Sequence, residues 1–105
     1  MEENKYENAL QIIMHAGNAK SAALMAIDAA AEGDFEDAEK QLDEARAEMG
    51  EAHKMQFALT KAEASGDPVD INIILIHAED HLTMAIMGID MAERMIDLYR
   101  EVKSK

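Results

Sequence analysis

Apolar residues recur every three or four positions along almost the whole chain, and that spacing predicts helix. In the first third, one seam runs Tyr6, Leu10, Ile13, Gly17, Lys20, Leu24, Ile27 and Ala31. A second seam, Ala9, Ile12, Ala16, Ala19, Ala23, Ala26 and Ala30, is built almost wholly of small residues, which let a neighbouring helix come close. The middle third repeats the pattern at Phe35, Ala38, Leu42, Ala45, Met49, Ala52, Gln56 and Leu59, with its other faces heavily charged. The last third carries two seams. One is Ile74, His77, His81, Met84, Gly88, Met91, Met95 and Leu98; the other is Leu75, Ala78, Leu82, Ala85, Ile89, Ala92, Ile96 and Tyr99. Ile73, Ile76 and Met87 add apolar surface beyond both.

Two breaks separate these segments. At Glu32-Gly-Asp34, the glycine suits the residue just past a helix end and Asp34 suits the next N-cap, with Glu36 and Asp37 in the first turn. At Ser65-Gly-Asp-Pro68, Gly66 again suits a stop and Pro68 cannot continue the preceding helix. Asp70 is the expected next N-cap, with Asp67 followed by Pro68 as the alternative. The prediction is a single domain over residues 1–105, all-α, with helices at about 3–32, 35–65 and 70–102. Each would be roughly 45 Å long. Short connections make neighbours antiparallel, which gives an up-down-up three-helix bundle. The third helix is apolar over more than the one stripe that two neighbours could cover, so subunits are expected to associate through it.

Composition narrows the class. Alanine, glutamate and methionine dominate, while proline occurs once, which favours helix. There is no cysteine, so disulfides, thiolate metal sites and a cysteine nucleophile on this chain are excluded. The formal net charge of −12 repels nucleic acid and anionic membrane, and favours a partner with a basic face. The opening residues, Met1 to Tyr6, lack the basic and apolar regions of a secretory signal. Asn72, His77, Glu79, Asp80 and His81 interrupt the longest stretch free of Lys and Arg, so no membrane insertion is expected.

The chemistry concentrates at His77, Asp80 and His81. Spaced three and four apart, they share roughly one helical face that is otherwise apolar. Polar groups there cost free energy unless paired or functional. Three roles fit the pattern. The histidines can be satisfied structural residues at an interface. Imidazoles one turn apart can also share a metal, but this chain offers no obvious further ligands. Third, a neutral imidazole can attack an activated phosphorus and form a phosphohistidine. Cations are scarce near residue 77, so that route needs charge neutralisation from a basic partner.

Five stretches give the chain a family resemblance. They are Ile13-Met-His-Ala-Gly-Asn-Ala-Lys-Ser21, Glu32-Gly-Asp-Phe35, Glu51-Ala-His-Lys-Met-Gln56, His77-Ala-Glu-Asp-His-Leu82 and Asp97-Leu-Tyr99. In this order and at this length the sequence resembles the enzyme IIA component of the lactose and cellobiose/chitobiose class of the bacterial phosphoenolpyruvate-dependent sugar phosphotransferase system. The resemblance implies a cytoplasmic homotrimer of three-helix subunits. His77 falls on the family's phosphorylated histidine. It would take a phosphoryl group from the histidine-containing phosphocarrier protein and pass it to a cysteine of the cognate enzyme IIB. Asp80 falls on the family's buried aspartate, three copies of which meet near the trimer axis and can hold one Mg2+. No organic cofactor is implied. His81 matches a family histidine beside the active site and is read as a supporting residue. His53 and Gln56 also match family positions and are read as lining a groove between subunits, with packing as the alternative. The chain departs from the common pattern at Asn18, Lys20, Glu79 and Thr83-Met84; Glu79, where glutamine is usual, adds a negative charge beside His77. The alternative function is a non-catalytic or regulatory helical module that binds partner helices through its methionine-rich third helix.

Overall fold

The computed structural model describes residues 6–105, so the expected helical start at residue 3 lies outside the described residues. Three helices follow one another: α1 (Glu7–Ala31), α2 (Phe35–Ala64) and α3 (Ile73–Lys103). They form a rod with extents of 57 × 23 × 19 Å. Cross-helix contacts fix the directions. Arg46 meets Glu93 and Glu39 meets Arg100, so α2 runs against α3. Gly88 lies beside the Lys20 stem, and Gly33 beside the Lys103 stem, so α1 and α3 run parallel. The order and directions of the helices are those of the expected all-α, up-down-up bundle.

The two glycine breaks work as the sequence implies. Gly33 and Gly66 adopt φ of +85° and +90°, a region that side chains resist. Each closes its helix with the same paired bonds. Asp34 N–H donates to Ala29 C=O at 2.9 Å and Gly33 N–H to Ala30 C=O at 3.0 Å. At the second break Asp67 N–H donates to Ala62 C=O at 2.9 Å and Gly66 N–H to Glu63 C=O at 3.2 Å. Asp34 caps α2 through its side chain, which accepts from Asp37 N–H at 3.1 Å. The cap of α3 corrects the expectation. Asn72, not Asp70 or Asp67, is the N-cap, and its Oδ1 accepts from Leu75 N–H at 2.9 Å. The helix therefore starts at Ile73 rather than 70, with Pro68 outside it. Proline reads as a first-turn residue from sequence, but an amide side chain four positions on satisfies the orphan N–H groups instead.

The core is mostly alanine. Ala16, Ala19, Ala23, Ala26 and Ala30 of α1 are fully buried, together with Ala38, Ala45 and Ala52 of α2 and Ala78, Ala85 and Ala92 of α3. Ile12 and Ile96 are the largest fully buried side chains, and no polar side chain is buried among the described residues. The small-residue seam makes α1 the central helix. It packs closely on both neighbours, whereas α2 and α3 touch each other far less and leave open grooves between them. On α3 the apolar surplus is plain: Ile73 is 82% exposed, and Ile76, Met84, Met87, Met91, Leu98 and Val102 are all exposed. No helix among the described residues is long and apolar enough to cross a membrane.

Candidate functional site

The site is built on the first two turns of α3 and just beyond. Asn72 fixes where the helix starts, and the buried positions Ala78, Leu82 and Ala85 fix which way it faces. With those turned inward, His77 emerges exposed, His81 half-buried beside it, and Asp80 exposed. The two imidazoles meet. Their Nε2 atoms lie 3.1 Å apart, with ring centroids at 4.6 Å and planes crossed at 85°. One N–H between them makes a hydrogen bond, the donor being set by tautomer. His81 Nδ1 is buried and has no partner.

Asp80 is exposed on α3, a helix that also exposes Ile76, Met84 and Met87. Among the described residues no group of three His, Cys, Asp or Glu side chains could hold a metal ion.

His53 and Gln56 do not join His77 within the chain. His53, on α2, lines a groove of about 410 Å³ with Met49, Gly50, Ile86, Ile89 and Asp90. Gln56 lines a larger, apolar groove of about 490 Å³ with Leu59, Val69, Ile71, Leu75 and Ile76. Both grooves lie between α2 and α3. Gln56 Nε2 donates to Thr60 Oγ1 at 3.5 Å, while its Oε1 is buried without a partner.

Glu79 shares the Gln56 groove. Two residues on from His77, it points about 200° away round the helix. Burial against that apolar lining pushes its carboxyl above the ordinary range. Its negative charge thus faces α2 and not the histidine pair.

A second histidine contact gave no signal in the sequence. His15 Nδ1–H donates to Glu48 Oε2 at 2.6 Å and ties α1 to α2. The partners are 33 residues apart and bracketed by alternative acidic neighbours, so only the phase of two packed helices brings them together.

An all-helical subunit with a paired histidine exposed on its last helix defines a class, and the comparisons give it a family. The profile described as "PTS system, Lactose/Cellobiose specific IIA subunit" matches residues 7–100, and the chain belongs to that family. It is a IIA component of a sugar phosphotransferase system, a phosphoryl-carrying phosphotransferase subunit. The lichenan-specific phosphotransferase enzyme IIA component of Bacillus subtilis is 40% identical over 102 residues, covering 97% of this chain and 93% of that protein. The crystal structure of the cellobiose-specific enzyme IIA from Bacillus anthracis superposes with a TM-score of 0.92 at 36% identity, covering 94% of this chain and 91% of that one. A chain from the solution structures of the IIA(Chitobiose)–HPr complex of Escherichia coli superposes with a TM-score of 0.81 at 28% identity, covering 94% of this chain and 96% of that one.

Proposed function

We propose that His77 is the phosphoryl acceptor, taking the group from the histidine-containing phosphocarrier protein HPr and passing it to a cysteine of a cognate enzyme IIB. The reading places the protein in the cytoplasm, serving uptake of a lactose- or cellobiose-type sugar through a membrane subunit. The observation that carries it is the exposed His77 ring held against His81, in a chain of the IIA family. A neutral imidazole presents a lone pair at cellular pH, and phosphoryl transfer asks mainly for positioning and charge neutralisation. His77 supplies the nucleophile and the bond to His81 its orientation. Residues 71–89 hold no Lys or Arg, so the phosphoryl charge is met by cations of the partner. The chain's net charge of −12 suits a basic partner, and the Escherichia coli chitobiose relative is a IIA in complex with HPr.

The same reading takes the protein as a homotrimer that buries the exposed apolar face of α3. Asp80 stands on that face, so three copies would converge at the axis. Converging carboxylates repel unless protons or a cation compensate them, and three oxygen donors suit one Mg2+ per trimer. His53 and Gln56 would line the groove that a neighbouring subunit completes. Reconstituted relay tests the proposal: the chain, charged by phosphoenolpyruvate and the two general phosphotransfer proteins, should pass its phosphoryl group to the cysteine of enzyme IIB. His77→Ala should lose both acceptance and onward transfer while its helical circular dichroism persists. Onward transfer by that variant would refute the assignment.

A further inference from the structure

The contact between the two imidazoles leaves one proton to place. Only one hydrogen fits between Nε2 atoms 3.1 Å apart, so one ring donates and the other accepts. If His77 donated from Nε2, His81 would accept at Nε2 and carry its own proton on Nδ1. That nitrogen is buried, has no acceptor, and belongs to a bundle whose described core holds no polar side chain. An orphaned N–H there forfeits its full desolvation cost. If His81 donates, its Nδ1 is a bare lone pair, which is also without a partner. The ring is then in the tautomer that neutral histidine already prefers in water, and that preference decides between the two. His77 then keeps its proton on Nδ1, where an exposed ring has water within reach.

We infer that His81 rests as the Nε2–H tautomer and donates to His77 Nε2, holding the attacking nitrogen at rest and giving the same N–H to the phosphoryl group after transfer. The inference rests on the relay reading of His77 and adds a proton arrangement to it. The step balances without an outside proton. The lone pair of His77 Nε2 forms the new P–N bond. The donor's P–N bond breaks with its electron pair left on the donor ring, which is protonated at its other nitrogen and departs as neutral imidazole. His77 retains its Nδ1 proton throughout. As His77 Nε2 becomes bonded to phosphorus it can no longer accept, and the His81 N–H turns to a phosphoryl oxygen. In a segment without cations that neutral donor is this chain's own contribution to holding the group.

Nitrogen NMR on the whole protein, labelled with 15N-histidine and held at about pH 8 where an ordinary imidazole is neutral, tests the placement. The expected spectrum has the His81 proton on Nε2, a bare His81 Nδ1, and a scalar coupling across the hydrogen bond to an unprotonated His77 Nε2. Phosphorylation should abolish that coupling. A proton on His81 Nδ1, a proton on His77 Nε2, or no coupling before phosphorylation would overturn the inference. Substitution gives a second readout. His81→Ala should slow phosphoryl acceptance about tenfold, the worth of one hydrogen bond. His81→Gln, which brings an amide N–H to nearly the same place, should recover to within about threefold. Equal loss in both, with helical content intact, would overturn the donor role. The mass of the wild-type chain after charging is read separately. A gain of phosphate on His77 with the opposite tautomer removes this inference and keeps the relay, whereas no gain removes the relay itself.

Discussion

The His15–Glu48 pair, which joins α1 to α2, should stabilise the bundle measurably. The two side chains are 19% and 28% exposed and 2.6 Å apart, so each is partly withdrawn from water and the bond has a charged acceptor. Bonds of that kind contribute about 1.5–3 kcal/mol, and partial exposure places this one at the low end. The Arg100–Glu39 pair is the internal control. It is nearly as short, at 2.8 Å, but its partners are 45% and 47% exposed, and such pairs are worth roughly 0.2–1 kcal/mol. Two double-mutant cycles, each replacing the partners by alanine singly and together, isolate the coupling. Urea unfolding at one fixed protomer concentration is the assay, since association would otherwise shift the midpoint. The coupling for His15–Glu48 should be about 1–2 kcal/mol, and each kcal/mol should move the melting temperature by roughly 4–8 °C in a chain near this size. Phosphoryl acceptance by the refolded variants should be unchanged. Additivity within about 0.5 kcal/mol at His15–Glu48, or a larger coupling at the exposed pair, would refute the argument from burial.

Three further outcomes follow from other parts of the bundle. Asn72→Ala should destabilise the protein by about 1 kcal/mol in thermal unfolding, through loss of the α3 cap; no change would mean that another group caps the helix. Glu79 binds its proton more tightly folded than unfolded, so the stability tied to that proton is full below the unfolded carboxylate range and fades as pH rises through the raised folded value. Glu79→Gln should therefore melt higher than wild type near neutral pH, with the gap closing in acid; a gap that widens in acid would reverse the sign. Asp80→Leu should strengthen self-association in sedimentation, because it removes converging like charges and adds apolar surface to α3. Dissociation to monomers would contradict the placement of Asp80 at a shared axis.

Most of the fold is written in local terms, which is why the periodic seams find it. The alternation of three and four finds the helices and one inward seam of each. Ala16, Ala45 and Ala85 are buried as that spacing implies, whereas Leu10 and Leu24 of the other α1 seam and Met84 and Met91 of the histidine seam stay exposed. Gly33 and Gly66 end helices because a positive φ is nearly free for glycine alone. The start of α3 was less legible. Asp67, Pro68, Asp70 and Asn72 all carry start signals within six residues, and the choice depends on which side chain reaches an exposed N–H. At the site, helical spacing brings His77 and His81 together because both lie on one helix. Asp80, three positions on from His77, lies about 60° round the helix from it, so the spacing gives the side of α3 that Asp80 occupies but not what meets it there. Gln56 and Glu79, which share a groove from different helices, and His15 with Glu48, depend on how helices are phased against one another. No local pattern records that.

The central claim is that His77 carries the phosphoryl group, and intact-mass spectrometry tests it most directly. The chain is incubated near neutral pH with phosphoenolpyruvate and the two general phosphotransfer proteins, beside a known acceptor as control. The account predicts a gain of one phosphoryl group per chain, lost on acid treatment and absent from His77→Ala. No gain while the control acceptor is charged, or a gain that survives in His77→Ala, would contradict it.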